Sequence, residues 1–218
     1  MKRIIKCFLI ALLIVIILIA AIAIRNMLIL KKLLSLSNNV NKNNYRLTTT
    51  MENKEGKTIF DAYYKDGMSY EERKTIEKTG DKKEKSESYY YKKHGKVVAF
   101  YSDGTTDTFT VGDPGSAATI YTIENVNMIK NIYYSDLAPL YRIRLYLIPI
   151  VKDTFEGKEV YVFNVGMAKL YVDAKTGLSL YYIFDKNDVD STMKIEYDFS
   201  DIDDSIFDYE NSDNLKKN

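Results

Sequence analysis

At 218 residues the chain has room for one domain of ordinary size and one membrane segment, and its single cysteine, Cys7, rules out an intrachain disulfide framework. The formal charge of +1 is unevenly spread: six of the 31 basic side chains and none of the 30 acidic ones fall in residues 1–32, which leaves 25 basic against 30 acidic beyond them. A mildly acidic remainder lacks the basic footprint of a nucleic-acid binder, and one histidine with one cysteine excludes zinc sites built mainly from those ligands.

The first element reads as a membrane segment. Phe8 to Ile24 (FLIALLIVIILIAAIAI) runs for seventeen residues without a polar side chain. With Ile4 and Ile5, and Lys6 able to snorkel from near the end, the stretch spans roughly 30 Å of hydrocarbon. Two readings share these residues. Lys2, Arg3 and Lys6, with the small-x-small triplet Ala21-Ile22-Ala23, suit a cleaved signal peptide; the length of the run and its large side chains suit a retained signal anchor, which is the expectation carried forward. Counting the free amino group, four positive charges precede the run and three (Arg25, Lys31, Lys32) follow it. That gives a slight preference for a cytoplasmic N-terminus and an extracytoplasmic bulk. Cys7 stands before the apolar run, not just after it, so it is not at a lipoprotein acylation position and reads as a bystander.

Asn26 to Leu36 continues with leucines around Lys31 and Lys32, and either extends the helix as an amphipathic collar or packs on the first strands. The asparagine-rich stretch Ser37 to Asn44 reads as a linker or helix terminus. From Tyr45 the period changes to two: Tyr45, Leu47, Thr49 and Met51 alternate with polar neighbours, as in a half-buried strand. Glycines then punctuate the chain, and Asp66-Gly67 and Asp103-Gly104 are hairpin-turn dipeptides. Strands are expected over 58–65, 68–78, 86–93, 97–102 and 106–111. Asp113-Pro114-Gly115 closes this meander. Apolar residues at Ala117, Ile120, Ile123, Val126, Ile129 and Ile132 then recur at a helical spacing, and a second helix is expected from Ser135 through Pro139 to Pro149. Strands resume over 158–165, 169–173, 178–184 and 192–199, with Lys175-Thr176-Gly177 as a tight turn.

No motif carries chemistry. His94-Gly95 sits at an expected hairpin tip, with nothing to mark a nucleophile or an orienting carboxylate. Asp185 to Asp190 followed by Glu196 begins like a calcium loop, but Val189 replaces a ligand and Asp190 stands where the loop turns on Gly, so a polar turn is expected. Asp198, Asp201, Asp203, Asp204 and Asp208 read as a solvated surface, or as the polar half of a segment that pins Phe199, Ile202, Ile206 and Phe207 onto the sheet. Phosphate loops, dinucleotide fingerprints and nucleophile elbows are absent from the sequence. The nineteen tyrosines, many in pairs such as Tyr63-Tyr64 and Tyr181-Tyr182, suit sheet packing with a half-exposed face, or a concave surface lined with aromatics.

The order of elements over about residues 30–210, with the hairpin Leu170-Tyr171-Val172-Asp173-Ala174-Lys175-Thr176-Gly177-Leu178-Ser179-Leu180, resembles the LolA/LolB-type lipoprotein-carrier superfamily. The hairpin matches that family's Asp-x-x-Thr-Gly-Leu-Pro turn, with Ser179 where Pro is common. The resemblance implies a strongly curved sheet half-wrapped around helices with an apolar cavity for acyl chains; it carries over no ligand-binding residue. A retained anchor departs from a freely diffusing carrier.

The sequence thus leads to an α+β, mainly antiparallel β fold: a curved meander sheet with a helical insert, preceded by a transmembrane helix. The expected divisions are a short tail (1–7), a transmembrane helix (8–24), a juxtamembrane helix and linker (25–44), an extracytoplasmic β-rich domain (45–210) and a polar tail (211–218). The expected role is non-enzymatic and needs no cofactor or metal. It is a membrane-tethered binding domain for a lipid, an acylated protein or another apolar ligand at a bacterial cell envelope, lined by Phe60, Ala62, Tyr64, Val98 and Phe100. The alternative is a structural or sensory ectodomain that meets an envelope protein through its Tyr-rich face.

Overall fold

The computed structural model describes residues 2–79, 82–93, 96–102, 107–112, 122–129, 146–165, 168–186 and 189–208. They fall into two compact units, one formed by Met1–Asn39 and Met128–Leu178, the other by Val40–Asn127 and Ser179–Asn218. The expected second helix around Pro139 and the tips Asp103-Gly104 and His94-Gly95 lie outside the described residues.

In the first unit, helix α1 runs unbroken from Lys2 to Asn38, about 55 Å at the usual rise. Asn26 to Leu36 therefore extends the apolar helix. The character of α1 changes along its length. From Ile4 to Ile24 the large apolar side chains are exposed, Phe8 at 67%, and this stretch is long and apolar enough to cross a membrane. From Asn26 onward one stripe is buried: Asn26, Leu30, Leu33, Leu34 and Ser37, at the four- and three-residue steps of one helix face. The unit's strands are β7 (Ile150–Phe155), β8 (Lys158–Val165) and β9 (Ala168–Asp173), antiparallel in the order β9-β8-β7. Strand β7 follows Pro149 directly, where no strand was expected. Its turn, Glu156-Gly157, has φ of 48° and 77°, the backbone of a two-residue hairpin.

The hairpin motif after β9 explains itself locally. Asp173 Oδ1 accepts from the backbone N–H of Lys175 (2.7 Å) and Thr176 (3.3 Å), Thr176 Oγ1 accepts from Leu178 N–H, and Gly177 N–H donates to the Asp173 carbonyl. Gly177 sits at φ 69° against α1, where a Cβ would overlap the Leu33 carbonyl oxygen. The Asp and Gly of the motif thus serve a turn and a close helix approach.

The second unit holds eight antiparallel strands in the order β6-β5-β4-β3-β2-β1-β11-β10. These are β1 (Asn44–Glu52), β2 (Gly56–Lys65), β3 (Met68–Thr79), β4 (Lys82–Lys93), β5 (Lys96–Ser102), β6 (Asp107–Gly112), β10 (Ser179–Lys186) and β11 (Val189–Asp198). The alternation expected from the sequence is present: Tyr45, Leu47 and Thr49 of β1 are buried, and their neighbours less so. The order of an N-terminal helix, a long meander, an insert with helix, and a late hairpin is the one that carried the carrier-family resemblance. Of the helical insert, α2 (Ile123–Val126) is described, capped by Thr122. Asp185, Lys186, Val189 and Asp190 are ladder positions of β10 and β11, so the calcium-like run is a hairpin.

One sheet face carries Leu47, Phe60, Ala62, Leu180, Tyr182 and Ile195, all buried. Helix α2 is fastened to it: the Tyr182 hydroxyl donates to the Val126 carbonyl at 2.7 Å, and Ile123 N–H donates to the Tyr45 hydroxyl at 3.5 Å. Burial pushes the Tyr45 hydroxyl up to about 12 and that of Tyr197 well above its ordinary value. Glu71 is buried on this face. The register puts it opposite Ala62, and Arg73, two residues along the same face, brings Nη2 to 3.7 Å from its carboxylate. The opposite face is polar around Asp61, which takes a fork from Arg46 (Nε 2.8 Å, Nη2 2.6 Å) and a bond from Thr48. Further along, Ile202 and Phe207 cover Tyr70 with Tyr63, Met68 and Ile206 around them, so the C-terminal segment does pin onto the sheet; Phe199 stays exposed.

Lys65 holds that segment. Its Nζ donates to the Ile202 carbonyl (2.6 Å) and pairs with Asp204 (2.9 Å) and Asp201 (3.3 Å). The bond to Asp204 raises the lysine's pKa, the Lys65 bond lowers that of Asp201, and the Ser205 N–H lowers that of Asp203. A raised lysine stabilises below its unfolded pKa and ceases to as pH rises through the folded one; lowered carboxylates stabilise above theirs and cease to as pH falls through the folded one. The clasp is therefore held between about pH 4 and about pH 10. Lys65→Met is expected to raise hydrogen exchange at residues 202–207 while β1 keeps its protection. In the first unit, Gly177→Ala is expected to cost about 2–4 kcal/mol in denaturant unfolding of the micelle-bound chain, from the positive φ and the overlap with α1.

Candidate functional site

The change in α1 from exposed to buried has a local cause. Asn26 Nδ2 donates to the carbonyls of Tyr146 (2.8 Å) and Ile148 (2.7 Å), and Arg25 Nη2 donates to the carbonyl of Ile150 (3.3 Å). Pro149 has no N–H, and its neighbours' carbonyls point at the helix and find these donors. The start of β7 is thereby pinned to the first polar turn after the apolar run.

This pinning leaves an open groove of about 630 Å³ beside the helix. Ala21, Ile24, Leu28 and Ile29 form its apolar wall, with Arg25 on the same helix; Lys152 of β7 and Tyr161 of β8 face them. Lys152 and Tyr161 are directly opposite in the β7–β8 register, and the ammonium lies 5.7 Å from the centre of the phenol ring. A smaller and more polar hollow of about 180 Å³ is lined by Lys152 as well, with Asp153, Thr154, Glu159, Val160 and Ala174. The larger groove offers hydrocarbon contact along the helix and two cations, Arg25 in the middle of the helical wall and Lys152 facing it. Among the described residues, its lining holds no Ser, Cys, His, Asp or Glu.

The residues proposed from sequence lie elsewhere. Phe60 and Ala62 are buried, the guanidinium of Arg73 stands 4.6 Å above the Phe60 ring, and Tyr64 stacks on Tyr45 at 5.3 Å. These three share the face under α2. Positions 98 and 100 do not. They pair with Tyr91 and Tyr89, which pair with Tyr70 and Glu72, which in turn oppose Tyr63 and Asp61 on the other face. The register instead carries Phe60 through Arg73 and Ser88 to position 101. In the sequence Arg25 stands only as a charge flanking the apolar run, and Lys152 and Tyr161 belong to no motif. The Glu156-Gly157 dipeptide between two short apolar runs was the available sign of their hairpin.

No family model and no curated protein matches the sequence. Two similar solved structures are LprF from Mycobacterium bovis and a DUF1329 family protein from Desulfovibrio piger. The first aligns at 10% identity with a TM-score of 0.44, over 79% of this chain and 91% of that one. The second aligns at 11% identity with a TM-score of 0.26, over 84% and 97%. Superpositions this loose carry no inference about what the groove holds.

Replacing Asn26 by Leu removes two bonds and leaves two carbonyls of the 146–148 segment without their donor. The expected cost is about 2 kcal/mol, read by denaturant unfolding in micelles, with increased exchange at residues 150–155. Unchanged stability and protection would mean that Asn26 does not hold β7 to the helix.

Proposed function

We propose that the chain is a non-enzymatic, single-pass binding protein of a bacterial cell envelope, anchored by residues 8–24 with its bulk on the extracytoplasmic side. In this reading it holds a lipid, an acylated protein or another apolar ligand in the groove at the foot of its anchor. One observation carries the proposal: the groove's apolar wall, Ala21, Ile24 and Leu28, continues the exposed apolar surface of the helix. Hydrocarbon can pass along that surface into the groove without crossing water, at no cost of wetting apolar area. The slight excess of positive charge before the run supports the sidedness.

The Tyr-rich face is the weaker alternative as a docking surface for another envelope protein. Tyr63 and Tyr70, stacked at 5.7 Å, have Ile202 and Phe207 over them.

Native mass spectrometry after mild detergent extraction tests the reading. The wild-type chain is expected to carry a lipid or other apolar adduct. Leu28→Asp, which places a charge in the groove wall without touching the buried stripe, is expected to lower its occupancy about tenfold or more, since a carboxylate does not share a site with hydrocarbon. A wild-type chain that repeatedly emerges bare would sink the proposal.

A further inference from the structure

The cations of the groove have a fixed height relative to the apolar run. Arg25 is the first polar residue after Ile24, and its bond to the Ile150 carbonyl, with those of Asn26, sets β7 beside the same turn of α1. Around that level the surface mixes apolar and basic groups. Leu147 and Val151 are 39% and 53% exposed, Lys152 follows them, and Tyr161, itself buried, lies behind it. Snorkelling cations beside exposed apolar side chains settle where hydrocarbon meets headgroups. Helix α1 contains no Asp or Glu, and among the described residues no carboxylate lines the groove; Asp153 and Glu159 line the smaller hollow, which Lys152 also borders.

We propose that Arg25 and Lys152 bind the phosphate of an anionic phospholipid, one acyl chain of which lies along Ala21, Ile24, Leu28 and Ile29. This rests on the membrane-anchored reading given above and names its ligand. Arg25 spends one nitrogen on the Ile150 carbonyl and keeps further N–H donors for an anion, and the Lys152 ammonium brings three. Two cations in one groove favour a headgroup with net negative charge over a zwitterion, whose own cation they repel. A free phosphate would satisfy the cations and leave the helix wall wet, so a ligand with both an anionic head and a hydrocarbon tail fits better. Bound in this way, the lipid seats the β7–β8 hairpin in the headgroup layer.

The test uses the full chain in nanodiscs of phosphatidylcholine mixed with phosphatidylglycerol, with retained lipids identified by native mass spectrometry. The wild type is expected to retain phosphatidylglycerol preferentially. Lys152→Gln, at an exposed position, is expected to lower the preference about fivefold with unfolding unchanged, and Arg25→Lys to preserve most of it. Lys31→Gln, outside the groove, is the control and is expected to change nothing. Equal retention of both lipids with no effect of Lys152→Gln would overturn the headgroup assignment and leave the apolar groove standing, whereas retention of no lipid would overturn both. An equal effect of Lys31→Gln would reduce the site to diffuse attraction. Displacement of phosphatidylglycerol by inorganic phosphate, at ionic strength matched with chloride, would make it a free-anion site.

Discussion

A helix that leaves an apolar run with its backbone already bonded must still find partners for its side chains within a turn. Here the change falls between Ile24 and Asn26. Every large apolar side chain from Ile4 to Ile24 is exposed along α1, and from Asn26 onward one stripe is buried. The amide of Asn26 is what a strand-bound segment next to a proline requires, since the carbonyls of Tyr146 and Ile148 have no sheet partner there and accept from one side chain instead. The groove lies beside this contact, with Ala21 and Ile24 before Arg25, Leu28 and Ile29 after it, and Lys152 and Tyr161 facing them.

The second unit is organised by sheet parity. Its covered face is apolar at the centre and becomes ionic toward β3, where Glu71 and Arg73 lie two residues apart and the arginine also roofs Phe60. On the other face Asp61 gathers Arg46, Thr48 and the Tyr63 hydroxyl, and the Arg46 guanidinium, 5.0 Å from the centre of the Tyr63 ring, is held above its ordinary pKa chiefly by the Asp61 bond. Adjacent charged residues of β3 therefore part company: Glu71 is buried beside Arg73 on the covered face, and Glu72, opposite Asp61, lies partly exposed on the other.

Much of this was legible in the residues. The apolar run, the alternation from Tyr45 and the Asp66-Gly67 turn each follow from a local rule, and each is present in the structure. What failed was the step between strands. Alternation says which residues of one strand share a face, but the turn decides which residues of the next strand join them. The β2–β3, β3–β4 and β4–β5 pairs close at 65 and 68, 79 and 82, and 93 and 96. Each such connection swaps odd for even positions, so three of them carry Phe60 to an odd position of β5 and put Val98 and Phe100 on the other face. The edge strand β7 was hidden by Pro149, which reads equally well as the end of a helix or the residue before a strand. Lys152 and Tyr161 belong to no motif; only the fold brings them to Arg25.

An unbroken α1 also makes the chain a lever. Hydrophobic segments adjust to bilayers of different thickness chiefly by tilting, and this helix has no proline or glycine at which a tilt could be absorbed. The bonds at Arg25 and Asn26 tie the β7 end to the rod itself, so any change in inclination swings the hairpin through the same angle. In the proposed anchored state, the depth at which Lys152 sits becomes a mechanical readout of how thick the surrounding bilayer is.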